Sequence, residues 1–172
     1  RSYLLTLPVL YRLSQKVLKK EYSVLVVLFF VFSTFNHYHA LEARCYSLFV
    51  LVVVFIFFNL FKLIFEKKKV WLYLGGANAV LMYCHYLSGF IIFIEVLILI
   101  WFYKRLTKQK LGTFILSGLL SMILFFPNLI LMFKRIGDFS DNGTWVNEPN
   151  ITEVYGNIIK FFNYTISFFI LI

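Results

Sequence analysis

The sequence predicts an all-α fold, a polytopic bundle of transmembrane helices, and three observations carry that reading. Of 172 residues, 61% are hydrophobic and 21% aromatic, while only 15% are charged. Soluble domains run near half apolar with about a quarter of residues charged. A chain this short still exposes about a third of its surface after folding, so one small core cannot hide this much apolar area. Second, the apolar residues fall in long runs, and residues 47–61 hold no charge at all. Third, the net charge of +9 is not spread over one face but collects in short clusters between those runs, as membrane topology requires.

A hydrocarbon core about 30 Å thick needs about 20 helical residues, fewer where ends snorkel. Six candidate spans follow: residues 3–17, 22–35, 46–65, 70–84, 90–103 and 111–133, with a seventh beginning near Phe161. The first is interrupted by Pro8, Arg12 and Gln15. Pro127-Asn128 should kink the sixth, because proline removes a backbone donor. The chain opens at Arg1 without a Met and stops within an apolar run, so we expect an internal segment of a longer protein, all of residues 1–172 belonging to one membrane domain.

Basic residues orient the stack. Alternate connections hold 12 of the 17 Lys and Arg residues: Arg12, Lys16, Lys19 and Lys20; Lys62 and Lys67 to Lys69; Lys104, Arg105, Lys108 and Lys110. Those connections should be cytoplasmic. The outer side then holds residues 36–45, the turn at 85–89, and a loop over 134–160 that carries Asp138, Asp141, Glu148 and Glu153. His37, His39 and His85 share this side, as do sequons at Asn142, Asn150 and Asn163, which act as glycosylation acceptors only in a eukaryotic host. The three histidines contain no i, i+4 pair of the kind zinc sites use, and no nucleic-acid-binding motif accompanies the positive charge. Cys45 and Cys84 make neither a disulfide framework nor a zinc spacing; two small buried hydrophobes is the simpler reading, with a bridge geometrically conceivable.

The segment His39-Ala40-Leu41-Glu42-Ala43-Arg44-Cys45-Tyr46 stands at the mouth of the third run. As a helical turn it puts His39, Glu42 and Tyr46 on one stripe. Arg44, two residues from Glu42, points elsewhere and has no partner on its own helix. Charged residues that enter hydrocarbon cost a few kcal/mol on insertion scales, so they face protein, a water cavity or a head group. Arg44 is then either an interfacial anchor or a ligand for an external anion, for which a phosphate at the membrane surface fits the guanidinium fork. Glu95 sits mid-span and should face the bundle interior, with Asn59 and Asn78 as candidate partners.

The order of these features resembles the membrane glycosyltransferases that use polyprenyl-phosphate sugars. This is the GT-C superfamily, and in particular its family-39 branch of protein O-mannosyltransferases and lipid A aminoarabinose transferases. The resemblance rests on Leu41-Glu42-Ala43-Arg44-Cys45-Tyr46-Ser47-Leu48 at an outer helix mouth and Tyr83-Cys84-His85-Tyr86 at an outer helix end two spans later. It covers nearly the whole chain and implies a GT-C-like fold. It implies that Arg44, with His85 and Tyr86, binds the phosphate of the donor, and that Glu42, Tyr46 and His39 orient that site. The implied partners are a polyprenyl-phosphate sugar, a lipid, glycan or protein acceptor, and the bilayer, with no nucleic acid. The implied location is the bacterial cytoplasmic (inner) membrane with the site facing outward, in cell-envelope glycosylation. The family's catalytic carboxylate lies in the first outer loop, which this chain is expected to lack, so no catalytic base is assigned. No resident cofactor is implied, and a divalent metal is left open. The rival reading is a transporter or flippase handling a lipid-linked anion without group transfer; a scaffold subunit is the third.

Overall fold

The computed structural model describes residues 2–33, 36, 45–66, 70–85, 88–142, 152 and 156, with backbone alone for 132–142. Among the described residues the elements are α1 (Ser2–Ser14), α2 (Lys20–Phe32), α3 (Tyr46–Phe65), α4 (Trp71–Cys84), α5 (Ser88–Trp101), a 3-10 turn (Tyr103–Arg105) and α6 (Lys108–Asn142), with no strand. The chain is therefore all-helical where it is described. Two helices are long and apolar enough to cross a membrane, Tyr46–Phe65 and Lys108–Leu131. At 1.5 Å per residue α3 extends about 30 Å, whereas helices of 13 or 14 residues extend about 20 Å.

Two expectations are corrected. The first apolar run was expected to be helical to residue 17, yet α1 ends at Ser14. There the chain turns, with the Lys16 amide donating to the Leu13 carbonyl and the Val17 amide to Ser14. The first part of the loop expected over 134–160 is instead helical, because α6 continues through Asn142. Lys134, Arg135 and Asp138 are each tolerated in a helix, and cooperative extension of a helix already formed outweighs their reading as breakers. Pro127 lies inside α6 without interrupting it.

α3 and α4 form the centre. α3 packs against α1, α4 and α5, while α4 packs against α3, α5 and α6; α2 rests on α1. On α3 the buried positions Val52, Ile56, Asn59, Leu60 and Leu63 recur every three or four residues, a helical stripe. They close against Leu74 and Leu81 of α4 and Leu99 of α5. The outer faces stay apolar as well: Phe29 is 78% exposed and Trp101 81%. In water such faces would be patches seeking cover; lipid would supply it.

Small residues let α4 and α6 approach closely. A Cβ added at Gly75 would stand 2.7 Å from the Ser117 carbonyl oxygen and 2.9 Å from Leu120. The Ser121 hydroxyl lies 3.0 Å from the Gly75 carbonyl and 2.8 Å from that of Ser117. Close small-residue contacts and interhelical hydroxyl bonds are the means by which helices associate where no hydrophobic drive operates. Buried hydroxyls elsewhere satisfy themselves on their own helix, as Thr6 does on Ser2 and Ser23 on Lys19.

One end of the bundle is basic. Lys16 pairs with Glu66 at 2.5 Å, tying the α1–α2 turn to the end of α3. The ammonium of Lys110, only 8% exposed, donates to the Ile64 carbonyl and, at 3.1 Å, to that of Arg105. A cation there complements the C-terminal end of α3. The Arg105 guanidinium stacks 5.0 Å over Phe65. Cations from two separate connections, α1–α2 and α5–α6, thus gather at the same end.

Candidate functional site at the opposite helix ends

The other end of the bundle is built from the start of α3 and the close of α4. Cys45 caps α3, its carbonyl accepting from the Phe49 amide at 2.8 Å. At the end of α4, His85 has extended backbone angles. Its amide still reaches the Leu81 carbonyl at 3.3 Å, and its own carbonyl accepts from Ser88 at 3.1 Å, which starts α5. His85 therefore links the end of α4 to the start of α5. Its backbone is held from both sides.

The side chains converge. The His85 ring lies 5.9 Å from the Tyr46 ring, tilted by 41°, and 5.8 Å from Phe49 in an edge-on contact. The Cys45 thiol donates to the Cys84 carbonyl at 2.8 Å. Tyr83, two residues before His85, points the other way: its hydroxyl donates to the Leu124 carbonyl at 3.0 Å and its ring meets Phe125 edge-on. Tyr83 thus anchors this end of α4 to α6 while Cys84 and His85 face α3. Cys45 is exposed and Cys84 half-buried, which corrects the reading of both as buried hydrophobes.

Of the residues expected in the site, Tyr46 and His85 are brought together. Arg44, Glu42, His39 and Tyr86 lie outside the described residues, as does His37. Chemically, the described part offers an imidazole flanked by two aromatic rings, one of them the Tyr46 phenol, and two thiols, at the mouth of the central helix pair. Among the described residues no three His, Cys, Asp or Glu side chains group together as metal ligands would.

A second polar constellation lies within the bundle. Glu95 of α5 is fully buried. The Asn78 side-chain amide of α4 donates to its Oε2 at 3.2 Å. Asn59 instead donates to Phe55 on its own helix, so of the two candidate partners it is Asn78 that meets Glu95. Glu95 Oε1 and Asn78 Oδ1 have no hydrogen-bond partner among the described residues. Sequence reasoning missed a third group, Arg12, Lys16, Lys20 and Lys62, which line one cavity. Those residues had been read only as charges that set topology, and the long stretch of chain between Lys20 and Lys62 carries no sign of a shared cavity.

No known protein family, curated protein or solved structure matches the chain.

Proposed function

We propose that this chain is part of a polytopic membrane glycosyltransferase, GT-C-like in fold. In this reading it moves a sugar from a polyprenyl-phosphate donor to an acceptor hydroxyl at the outer face of the bacterial cytoplasmic membrane. The helices described here and the apolar run near the chain's end are then successive spans, with the basic end in the cytoplasm by the positive-inside rule. The observation that carries the reading is the contact between Tyr46 and His85. These residues come from the two short segments on which the resemblance rests, and a shared donor site requires those segments to be neighbours.

The reaction would run as follows. A base takes the acceptor proton, and the acceptor oxygen attacks the anomeric carbon. The bond from that carbon to the phosphate oxygen breaks, its electron pair leaving with polyprenyl phosphate. Arg44 meets the charge that grows on the departing phosphate. His85 and Tyr86 line the same cavity, and Glu42, Tyr46 and His39 hold the geometry. Preorganised donors aimed at developing charge are worth about 3–4 kcal/mol of barrier.

The test is release of polyprenyl phosphate by the full-length protein in membranes, across a panel of polyprenyl-phosphate sugars, for wild type, Arg44→Ala and Arg44→Lys at matched expression. Turnover that collapses in Arg44→Ala and partly returns in Arg44→Lys is the expected result. Turnover indifferent to both variants removes Arg44 from the site. Absence of turnover with every donor, in a folded protein that still binds polyprenyl phosphate, favours lipid handling without group transfer. The buried Glu95–Asn78 pair is the one observation on the side of that alternative, since ionisable residues inside spans commonly mark transport paths.

A further inference from the structure

Two cavities meet at Arg12. One is an open-sided apolar groove of about 710 Å³ between α1, α3 and α4, lined by Leu5, Val9, Leu51, Phe55 and Tyr73, with Arg12 in its wall. The other, of about 640 Å³, lies at the basic end of the bundle, and its wall contains Arg12, Lys16, Lys20 and Lys62 with Phe58 beneath. Four cations and no carboxylate line the second cavity. Lys16 is matched by Glu66, and the Lys62 ammonium is held 4.0 Å over the Phe58 ring, so two of the four are fixed in place rather than waving in solvent.

Like charges collected round one cavity repel, and the arrangement is relieved by an anion that several of them share. A guanidinium fork and ammonium groups together suit phosphate oxygens. The adjoining groove supplies what a soluble anion would not need. From Arg12 to Leu5 is about two helical turns, about 10 Å along the axis, of continuous apolar wall leading away from the cations. A polar cavity opening into an apolar groove at one shared arginine has the two-part form of a lipid.

We propose that this double cavity binds one anionic phospholipid of the bilayer, its phosphodiester among Arg12, Lys16, Lys20 and Lys62 and an acyl chain along the groove. Basic pockets between helix ends are a known mode of head-group capture, and each Lys or Arg near an anionic lipid surface is worth about 1 kcal/mol. The lipid would lock the α1–α2 hairpin onto α3, because its head group touches all three helices or their connections. The site lies at the end of the bundle opposite Tyr46 and His85, and it does not depend on the glycosyl-transfer reading.

The experiment is native mass spectrometry of the full-length protein in detergent with equimolar phosphatidylglycerol and phosphatidylcholine of the same chains. Wild type should retain one phosphatidylglycerol in preference to phosphatidylcholine. The triple variant Arg12→Gln/Lys20→Gln/Lys62→Gln should lower that retention about a hundredfold. A control that neutralises exposed charges of the neighbouring connection, Lys104→Gln/Arg105→Gln/Lys108→Gln, should keep it. Val9→Trp, which fills the groove, should reduce retention with the cations intact. Equal retention of both lipids by wild type overturns the proposal without reference to any variant. Equal loss in the control triple shows a diffuse charge effect and overturns the site. Displacement by millimolar inorganic phosphate overturns the lipid, and displacement by stoichiometric polyprenyl phosphate overturns the assignment to a bilayer phospholipid.

Discussion

The Asn78 side-chain amide donates to Glu95 Oε2 at 3.2 Å, joining α4 to α5 through two side chains that are both buried. A carboxyl group enclosed by apolar helices has few substitutes for this donor. Removing one partner of a buried polar pair leaves the other unsatisfied, which costs about 1–3 kcal/mol, more than the bond itself contributes. Asn78→Ala should therefore destabilise the full-length protein by about that amount in reversible unfolding from mixed micelles. The double variant Asn78→Ala/Glu95→Ala should lose less than the two single variants summed. Interhelical coupling energies measured in membrane bundles average about 0.6 kcal/mol. Strict additivity would show that the pair does not couple the helices.

Gly75 is a point of close approach between α4 and α6. A methyl group there would stand 2.7 Å from a backbone oxygen, Ser117 O, which cannot rotate away as a side chain can. Gly75→Ala should cost about 1–3 kcal/mol, the range for overpacking, and Gly75→Leu should prevent stable assembly. Gly76, its neighbour, has open space at the same position, so Gly76→Ala should be neutral within about 0.5 kcal/mol. Thermal denaturation in detergent for the pair of alanine variants reads the contrast directly.

The two thiols provide a proximity test of the helix ends. The Cys45 thiol donates to the Cys84 carbonyl at 2.8 Å, which places the two residues side by side. A thiol-oxidising catalyst such as copper phenanthroline, with dissolved oxygen as electron acceptor, should join them by removing two protons and two electrons. Protection from maleimide labelling, reversed by reductant, would record the bond. Cys45→Ser should leave Cys84 open to labelling throughout. Free labelling of wild type after oxidation would mean that the start of α3 and the close of α4 are not neighbours.

How much of this was legible in the sequence depended on what punctuates each run. The run 46–65 is bounded by Arg44 on one side and by Glu66 and a lysine cluster on the other, and α3 has those limits. The run expected over 90–103 has charged markers, Lys104 and Arg105, on one side only; α5 begins two residues earlier and ends at Trp101. The extension of α6 to Asn142 was hidden because glycine and charge suggest a loop, whereas a long helix continues through residues that would not start one. For the site, the sequence led only to the expectation that Tyr46 and His85 lie toward the same side. That their rings touch is a consequence of how α3 and α4 pack, which periodicity does not encode. The choice of Asn78 over Asn59 as the partner of Glu95 is likewise a matter of packing, as is the gathering of Arg12, Lys16, Lys20 and Lys62 around one cavity.

His85 stands between Tyr46 and Phe49, and its backbone is bonded both to the last turn of α4 and to the first residue of α5. If it serves only to pack this corner, a ring of similar size should do as well. If it donates to the phosphate of a lipid-linked sugar, the ring nitrogen is what matters. His85→Phe keeps the aromatic contacts and removes the donor, while His85→Asn keeps a donor and shrinks the ring. On the phosphate-binding reading, His85→Phe should lower turnover about a hundredfold, a typical loss for one preorganised donor, with little change in thermal stability. His85→Asn should retain more of the turnover despite its poorer packing. Tyr46→Phe, which preserves the ring contact and deletes only the hydroxyl, should fall between wild type and His85→Phe. The measurement is polyprenyl phosphate release alongside a melting curve for each variant. Activity that follows stability across the series, instead of the presence of a donor at position 85, would reduce His85 to a packing residue and leave the phosphate to Arg44.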